Sequence, residues 1–202
     1  MTRGWPVELR SGRVGLRPLS MNDAAAWREV RARNRDWLTP WEATVPPGDT
    51  TAPATFRAMV RDLRRQARAG RAMPFAVTVD DAFAGQLTVS NIVGGSARWG
   101  QVGYWIDREQ AGKGVIPTAV AMAVDHCLFE VGLHRIEIAI RPENTASLRV
   151  VQKLGFNEYG YAPRYLHIDG AWRDHRLFAI TVEECSGGLL RRLKTEGPRN
   201  GP

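Results

Sequence analysis

The sequence predicts an α/β protein with α+β character: one domain on a mixed, mostly antiparallel sheet, with a single parallel strand-helix-strand step and helices on both faces. The first observation is a length of 202 residues with 44% hydrophobic and 24% charged residues, which is typical of one globular domain. The second is a set of three alternating segments within residues 74–106. The third is the succession of strand, Gly-containing loop, helix and strand in residues 98–140, the pattern of a right-handed parallel crossover.

The N-terminal half is predicted to begin with a strand and two helices. Residues 13–18 alternate like a short strand, and Ser20 is expected to cap a helix that runs to about residue 33. A Pro- and Gly-rich loop follows, after which apolar residues recur at helical spacing over residues 56–67. An antiparallel meander is then predicted for residues 74–79, 83–92 and 98–106.

The C-terminal half is predicted to contain the parallel step and a closing hairpin. Pro117 suits the first turn of a helix that continues to residue 131, and residues 135–140 read as the next strand. Asn144 is expected to cap a helix that ends at Gly155. A hairpin with a type I′ turn at Asp169-Gly170 is predicted for residues 156–165 and 172–182.

The domain is expected to span residues 1–186, followed by a disordered basic tail at residues 187–202, because this end is rich in Arg, Lys, Gly and Pro. The longest uncharged apolar stretch, residues 114–124, is shorter than the roughly 20 residues of a membrane span. No apolar segment of a secretory signal follows the N-terminus. These features predict a cytoplasmic protein without a membrane partner.

Cysteine usage and charge narrow the possible ligands. Cys127 and Cys185 stand in neither a CxxC pair nor a metal-ligand spacing, so we expect no metal, no disulfide and a buried thiol at Cys127. The net charge of +7 and a pI near 10.1 favour acidic partners. A basic stripe at helical spacing is either a solvated face or a surface for ribosomal RNA or acidic proteins: Arg57, Arg61, Arg64 and Arg68.

The loop before the central helix carries Gly112 and Gly114. It lacks the third glycine of a dinucleotide-binding fingerprint and the Ser or Thr of a P-loop, so both motifs are excluded. Free N–H groups at a helix N-terminus bind phosphates, which makes the loop suitable for a pyrophosphate. A tight turn that needs glycine only for positive φ explains the same residues, and both interpretations stay open here.

Taken together, several segments resemble the Gcn5-related N-acetyltransferase (GNAT) family. QVGYWIDREQAGKGV is similar to the family's acetyl-CoA strand and pyrophosphate loop, and RPENTASLRVVQKLGF to its next strand-helix junction. GLRPLSMNDAAAW, RNRDWLTPW and YLHIDGAWRDH resemble the branch with the RimJ and RimL ribosomal-protein N-terminal acetyltransferases. The resemblance implies acetyl-CoA as co-substrate, no metal, and these contacts: Tyr104, Trp105, Ile106, Ala111, Gly112, Lys113, Gly114, Val115, Ile116, Asn144 and Arg149.

Two departures from the family pattern stand out. In the loop pattern (Gln/Arg)-x-x-Gly-x-(Gly/Ala), Ala111 takes the first position and Ile116 the last, and Pro117 removes one N–H donor. Many relatives carry a tyrosine in the following helix to protonate the departing thiolate, whereas Val151 stands at the matching position. Another group must then serve as the acid.

The chemistry expected of such a site assigns roles to three further residues. Asn144 and Ser147 share the first turn of a helix, and helix capping alone would explain this pair. The family resemblance, together with Val151 in place of the usual tyrosine, makes Ser147 the candidate acid. Glu137 is the candidate base, with an ordinary solvated or ion-paired strand residue as the alternative. A backbone N–H near Trp105 is expected to stabilise an oxyanion by about 3 kcal/mol if the strands beside it separate, as the resemblance implies.

The acceptor entrance is predicted around Trp37, Trp41 and Glu42, with Arg164 and Tyr165 as the opposite wall; core packing of the two tryptophans is the alternative. His175, in the WRDH segment, is interpreted as a structural residue.

The favoured function is acetyl transfer from acetyl-CoA by direct attack of the N-terminal α-amine of a protein, in particular a ribosomal protein with N-terminal alanine. One alternative is acetylation of a small amine such as a polyamine or an aminoglycoside, attracted by Glu42 and Asp49. Another is a catalytically weak RNA- or ribosome-binding module. Ribosome contact through the basic stripe and a monomer or homodimer are expected.

Overall fold

The protein is described by a computed structural model over residues 4–48 and 55–195. The strands there are β1 (Leu9–Ser11), β2 (Val14–Pro18), β3 (Met73–Val79), β4 (Ala82–Val93), β5 (Trp99–Ile106), β6 (Arg135–Ile140), β7 (Asn157–Ile168) and β8 (Ala171–Thr181). The α-helices are α1 (Ala24–Arg33), α2 (Arg35–Leu38), α3 (Phe56–Arg68), α4 (Val115–Asp125), α5 (Thr145–Leu154) and α6 (Leu189–Thr195).

The strands form one sheet in the order β1-β2-β3-β4-β5-β6-β8-β7. Neighbouring strands are antiparallel except β5 and β6, which run parallel and are connected through α4. Asp169 and Gly170 both have positive φ at the β7–β8 turn, as a type I′ hairpin requires. The predicted fold class, with its meander, parallel step and final hairpin, is therefore confirmed.

Alternation along β3 gives each face of the sheet its own core. Phe75 and Val77 face the large cluster that includes α4 and α5, whereas Ala76 between them packs with Val60 of α3. Trp27 of α1 lies on the same face as α3, because its ring is 5.1 Å from that of Phe56. The helices thus cover both faces, as the sequence predicts.

The central helix α4 is buried because it lies between the sheet and the helices α5 and α6. Its residues from Ala119 to Val124 are all buried, which explains the long apolar run in the sequence. The chain continues as a π-helical turn, His126–Val131, and ends at Gly132 in the left-handed conformation (φ 83°). Cys127 lies in this turn with no exposed surface, so its predicted burial is confirmed.

The parallel strands β5 and β6 pair only at their beginnings. Trp99, Gly100 and Gln101 pair with residues 135–137, and no further pairs join the two strands. From Val102 onwards they diverge, which leaves backbone groups of β5 without a strand partner on this side. This is the gap that the resemblance implies.

The C-terminal end differs from the prediction. Disorder is predicted from residue 187, but residues 189–195 form α6, whose Leu189 is completely buried. The Asp125 carboxylate accepts hydrogen bonds from the backbone N–H groups of Leu189 (2.7 Å) and Leu190 (2.9 Å). Burial of the leucines and this cap stabilise a helix here, although the basic composition predicts disorder. Residues 196–202 lie outside the described ranges.

Near the N-terminus, Ser20 caps a short 3-10 turn, Met21–Asp23, which leads directly into α1. Among the residues described, none of the helices combines the length and hydropathy needed to cross a bilayer.

Candidate active site

Two adjoining cavities open where β5 and β6 diverge. The strand cavity, about 360 Å³, lies between the two strands and is lined by residues of both, including Gly103 and Ala139. The helix cavity, about 480 Å³, extends to the N-terminal ends of α4 and α5. Five residues line both cavities and mark where they meet: Trp41, Tyr104, Trp105, Asn144 and Ser147.

The loop before α4 forms one end of the helix cavity. Gly112 and Gly114 have φ of +75° and +77°, and no atom lies within 4 Å of a Cβ placed on either one. Both interpretations of these glycines therefore stay open, since the backbone needs positive φ and the space beside it is free. Within the described residues, the backbone N–H groups of Val115 and Ile116 make no hydrogen bond. This end of the cavity can bind an anion despite Pro117.

Two cations from α5 line the helix cavity. Arg149 is one of the predicted contacts, whereas Lys153 was not predicted. Their spacing of four residues, one helical turn, is the signal that could have revealed Lys153. Lys113 is exposed and does not line the cavity, but the other predicted loop residues do: Ala111, Gly112, Gly114, Val115 and Ile116. The cavity thus combines backbone donors with two positive side chains.

The backbone of β5 alternates between its two neighbours. The carbonyl of Trp105 points at Gly85 of β4, in the space where a Cβ on that glycine would lie. The peptide groups that face the gap therefore belong to Tyr104 and Ile106. Trp37 occupies one of them, because its indole N–H donates to the Ile106 carbonyl at 3.2 Å. A donor near Trp105 would therefore come from Tyr104 or Ile106, and Trp105 itself lines both cavities.

The start of α5 brings Asn144 and Ser147 to the junction of the cavities. The Asn144 side-chain oxygen accepts from the Ser147 backbone N–H at 3.0 Å, so the predicted cap is confirmed. Ser147 itself lines both cavities. Val151, one turn later, is buried in the core and supplies no donor.

Tyr104 contributes a buried hydroxyl that sequence reasoning did not assign a role. Its Oη is inaccessible and makes no hydrogen bond of normal geometry among the described residues. Burial raises the pKa of Tyr104 to about 12, and the nearby Ser147 hydroxyl acts in the opposite direction. The phenol therefore stays protonated near neutral pH, with its buried oxygen beside Ser147.

Glu137 does not reach the site. Its carboxylate accepts from Arg135 Nε at 2.6 Å and from the Tyr159 hydroxyl at 2.9 Å, and it lines neither cavity. The sequence alternation correctly separates Glu137 from its isoleucine neighbours, but it does not reveal that both oxygens are occupied. Glu137 is therefore an ion-paired strand residue, the alternative to a catalytic base that the sequence left open.

The predicted acceptor residues separate into two groups. Trp41 lines both cavities, and Trp37 lines the helix cavity. Glu42 lines neither, because its carboxylate is paired with Arg31 on α1. Arg164 and Tyr165 line neither cavity, although the Tyr165 ring lies 5.7 Å from that of His175. Asp49 lies outside the described residues.

A buried polar network fixes the end of β5 against α1 and α2. Asp107, 3% exposed, accepts from the Asn34 amide at 2.8 Å and from Arg33. Burial alone raises the pKa of Asp107, but the hydrogen bonds from Arg33 and Asn34 outweigh it and hold the pKa below its usual value. Asn34 also accepts from the Arg108 N–H at 2.9 Å. These bonds connect the segment that carries Trp37 to β5.

Comparison with known proteins adds to this geometry. Residues 13–157 match the Acetyltransferase (GNAT) domain family. The chain is 33% identical to the ribosomal protein uS5 alanine N-acetyltransferase of Escherichia coli (strain K12), covering 90% of this chain and 94% of that protein. The solved structure of Mycobacterium smegmatis RimJ in complex with CoA-disulfide has a TM-score of 0.91 at 42% identity, with 98% of each chain covered. A ribosomal-protein-S5-alanine acetyltransferase from Vibrio fischeri has a TM-score of 0.77 at 31% identity, over 87% of this chain and 96% of the other.

The matched family segment includes the diverging strands, the glycine loop and the first turns of α4 and α5. These are the elements that form the helix cavity and its junction with the strand cavity. The chain therefore belongs to the GNAT acetyltransferase family and is an acetyltransferase.

Proposed function

We propose that this protein transfers the acetyl group of acetyl-CoA to the N-terminal α-amine of a protein, and that the acceptor is a ribosomal protein beginning with alanine. The single observation that carries the proposal is the meeting of two cavities at Tyr104 and Ser147. One cavity has the donors and cations that suit a coenzyme, and the other is open to a second substrate. The names of two relatives, both alanine N-acetyltransferases of a ribosomal protein, support this acceptor. Such an acceptor places the protein in the cytoplasm.

The helix cavity fits acetyl-CoA. The N–H groups of Val115 and Ile116 and the open space at the glycines suit the pyrophosphate, and Arg149 and Lys153 add positive charge. The Tyr104 peptide group faces the gap beside β5 and suits the amide-bearing arm, as an added strand would. Acetyl-CoA supplies the activated acetyl group, and no metal is required for this chemistry.

At the junction, the chain supplies donors for both charges that develop during transfer. The backbone N–H of Tyr104 or Ile106 is placed to stabilise the oxyanion. Ser147 is proposed to donate to the departing thiolate, in place of the tyrosine that Val151 replaces. Tyr104 Oη, buried beside Ser147, is proposed as a second donor near this junction, and Asn144 fixes the turn that carries Ser147.

The strand cavity favours a peptide over a polyamine. Among the described residues that line it, none is an aspartate or glutamate, and Arg141 adds a positive charge. Apolar side chains such as Trp41, Leu166 and Ile168 provide contacts for a peptide chain. Because Glu42 is paired elsewhere, the small-amine alternative loses the carboxylate that was expected to attract its substrate.

The basic stripe on α3 supports contact with the ribosome. Its four arginines are all exposed on one helix, away from both cavities: Arg57, Arg61, Arg64 and Arg68. With this face of α3 against the phosphates of ribosomal RNA, the cavities could reach an acceptor that is bound on the ribosome.

The test is an acetylation screen that measures release of free CoA. Peptides beginning with Ala, Ser or Thr are compared with spermidine, an aminoglycoside and an N-terminally blocked lysine peptide. We expect kcat/KM for at least one free N-terminus to exceed that of all three other amines. If one of those amines exceeds every peptide by tenfold, the small-amine or lysine alternative is correct. Acetyl-CoA binding without turnover of any amine would favour the RNA- or ribosome-binding module.

A further inference from the structure

The acceptor amine reaches the thioester as an ammonium ion over part of the physiological pH range, because the α-amino group has a pKa of about 7.7 to 8.0. A residue that removes this proton directly from an amine in the strand cavity has to line that cavity. Three ionisable side chains do so among the described residues: Tyr104, Arg141 and His175. The phenol of Tyr104 is protonated, with its pKa raised by burial to about 12, and arginine stays charged. Only His175 can accept a proton there.

The fold places His175 at the end of the diverging strands. It lies on β8 directly before Arg176, which pairs with Ile140 at the end of β6. The imidazole is 3% exposed, and its ring lies edge-on to Tyr165 at 5.7 Å between centroids. The position is therefore held by the sheet and by a packed ring rather than by a mobile loop.

A hydrogen bond fixes the tautomer of His175. Its Nδ1 lies 3.0 Å from the carbonyl oxygen of Arg173, and because a carbonyl only accepts, Nδ1 carries the hydrogen. Nε2 is then the basic nitrogen, and it makes no hydrogen bond within the described part of the chain. The ring thus presents an unpaired acceptor at a wall of the strand cavity.

Burial is the main cause that keeps His175 neutral. It lowers the pKa of His175, and the nearby Arg141 lowers it further. The hydrogen bond to the Arg173 carbonyl and the charges of Asp174 and Glu143 act in the opposite direction but do not prevail. The Asp174 carboxylate accepts from the Tyr161 hydroxyl at 2.5 Å and from the Arg164 N–H at 2.8 Å, and Glu143 accepts from Arg141 Nε at 3.2 Å. Glu143 is therefore paired with a cation, and the Asp174 oxygens already accept hydrogen bonds from other partners.

We propose that Nε2 of His175 accepts the proton of the acceptor amine, the role that Glu137 cannot fill. The ammonium ion first gives one proton to Nε2, which passes it to solvent, so that the neutral amine attacks the thioester carbon. As the new N–C bond forms and the C–S bond breaks, the electron pair of the C–S bond leaves on sulfur. The second proton lost by the nitrogen goes to Nε2, and the thiolate is protonated or hydrogen-bonded by the donors at the cavity junction. This inference rests on the proposed acetyl transfer, but it does not depend on which amine is the acceptor.

The test is the pH dependence of kcat/KM in His175→Asn, measured with the best amine from the screen. Asparagine retains a donor for the Arg173 carbonyl and removes Nε2. We expect a loss of about a hundredfold at pH 6.5, within the range of general-base catalysis. The loss is expected to fall to less than about tenfold at pH 9 for an α-amine, because that amine is already deprotonated in solution. The Tm and the acetyl-CoA affinity are expected to remain close to those of wild type.

His134→Asn is the matched control, because His134 is half-exposed, contacts Glu183 and lines neither cavity. A loss in His175→Asn that is equal at both pH values indicates a structural role and overturns the proposal. The same conclusion follows if Glu137→Gln, and not His175→Asn, shows the pH-dependent loss.

A measurement on wild type does not require turnover. Nitrogen-15 NMR is expected to show His175 as the Nδ1–H tautomer, with a pKa below 6.5 that rises in the Arg141→Gln variant. Observation of the Nε2–H tautomer would overturn the proposal even if the acceptor assignment is correct. The tautomer result also stands if the acceptor assignment fails.

Discussion

Substitution of Ser147 and Asn144 separates catalysis from helix capping in one turn of α5. Ser147→Ala removes the hydroxyl at the junction of the cavities but leaves the backbone N–H that Asn144 caps. We therefore expect a lower kcat without a change in Tm. Asn144→Ala removes the capping oxygen, so we expect a lower Tm.

The expected magnitudes follow from what each side chain contacts. A cap of this kind contributes about 1 kcal/mol, which corresponds to roughly 2 to 4 °C in Tm for a chain of this size. Loss of one donor to developing charge costs about a hundredfold or more when no other donor is present. Because the unpaired Tyr104 hydroxyl remains at the same junction, we expect about tenfold for Ser147→Ala alone. Ser147→Ala with Tyr104→Phe is expected to lose about a hundredfold or more.

The assay is steady-state kinetics with a saturating acceptor, together with acetyl-CoA affinity by calorimetry. Ser147→Ala is expected to bind acetyl-CoA as wild type does, since the interaction matures only in the transition state. If Ser147→Ala turns over at the wild-type rate and the double variant equals Tyr104→Phe, then Ser147 is only a helix residue and the assignment of the acid is wrong.

Three further predictions concern the coenzyme loop and the stability of the fold. Gly112→Asp and Gly114→Asp are expected to weaken acetyl-CoA binding more than the corresponding alanine variants do. The alanine variants share the backbone strain at positive φ but add no charge. Equal affinities by calorimetry would place the pyrophosphate elsewhere. The pKa of Asp107 is lowered in the folded protein. Its contribution to the free energy of unfolding is therefore complete above its unfolded pKa of about 3.9 and is lost as the pH falls through the lower folded value. Thermal unfolding is therefore expected to be less pH-dependent below pH 4 in Asp107→Asn than in wild type, and parallel curves would contradict this. Asp125→Ala is expected to release α6, seen as faster hydrogen exchange at Leu189, whereas unchanged exchange would show that the buried leucines hold the helix alone.

Local patterns were sufficient for most of the fold. Strand alternation, a type I′ turn at Asp169-Gly170 and a cap at Asn144 are encoded within a few residues of chain, and all three are found. The helix α6 was missed because its stability depends on Asp125 and on the core that covers Leu189, both far from it in sequence.

The site was predictable only where its residues lie on one continuous segment. The glycine loop and the start of α5 were found this way. Glu42 and Glu137 line neither cavity, and the sequence could not show this because their partners, Arg31 and Tyr159, become neighbours only after folding. His175 was interpreted as structural because no local pattern shows that β8 brings it to the diverging ends of β5 and β6.

The most direct test of the proposed function is where the acetyl group goes on a single peptide. We would incubate the protein and acetyl-CoA with a peptide that begins with alanine and contains one internal lysine, and locate the acetyl group by tandem mass spectrometry. We predict acetylation of the alanine α-amine with the lysine unmodified. Acetylation of the lysine, or an unmodified peptide beside an acetylated small amine in the same mixture, would contradict it.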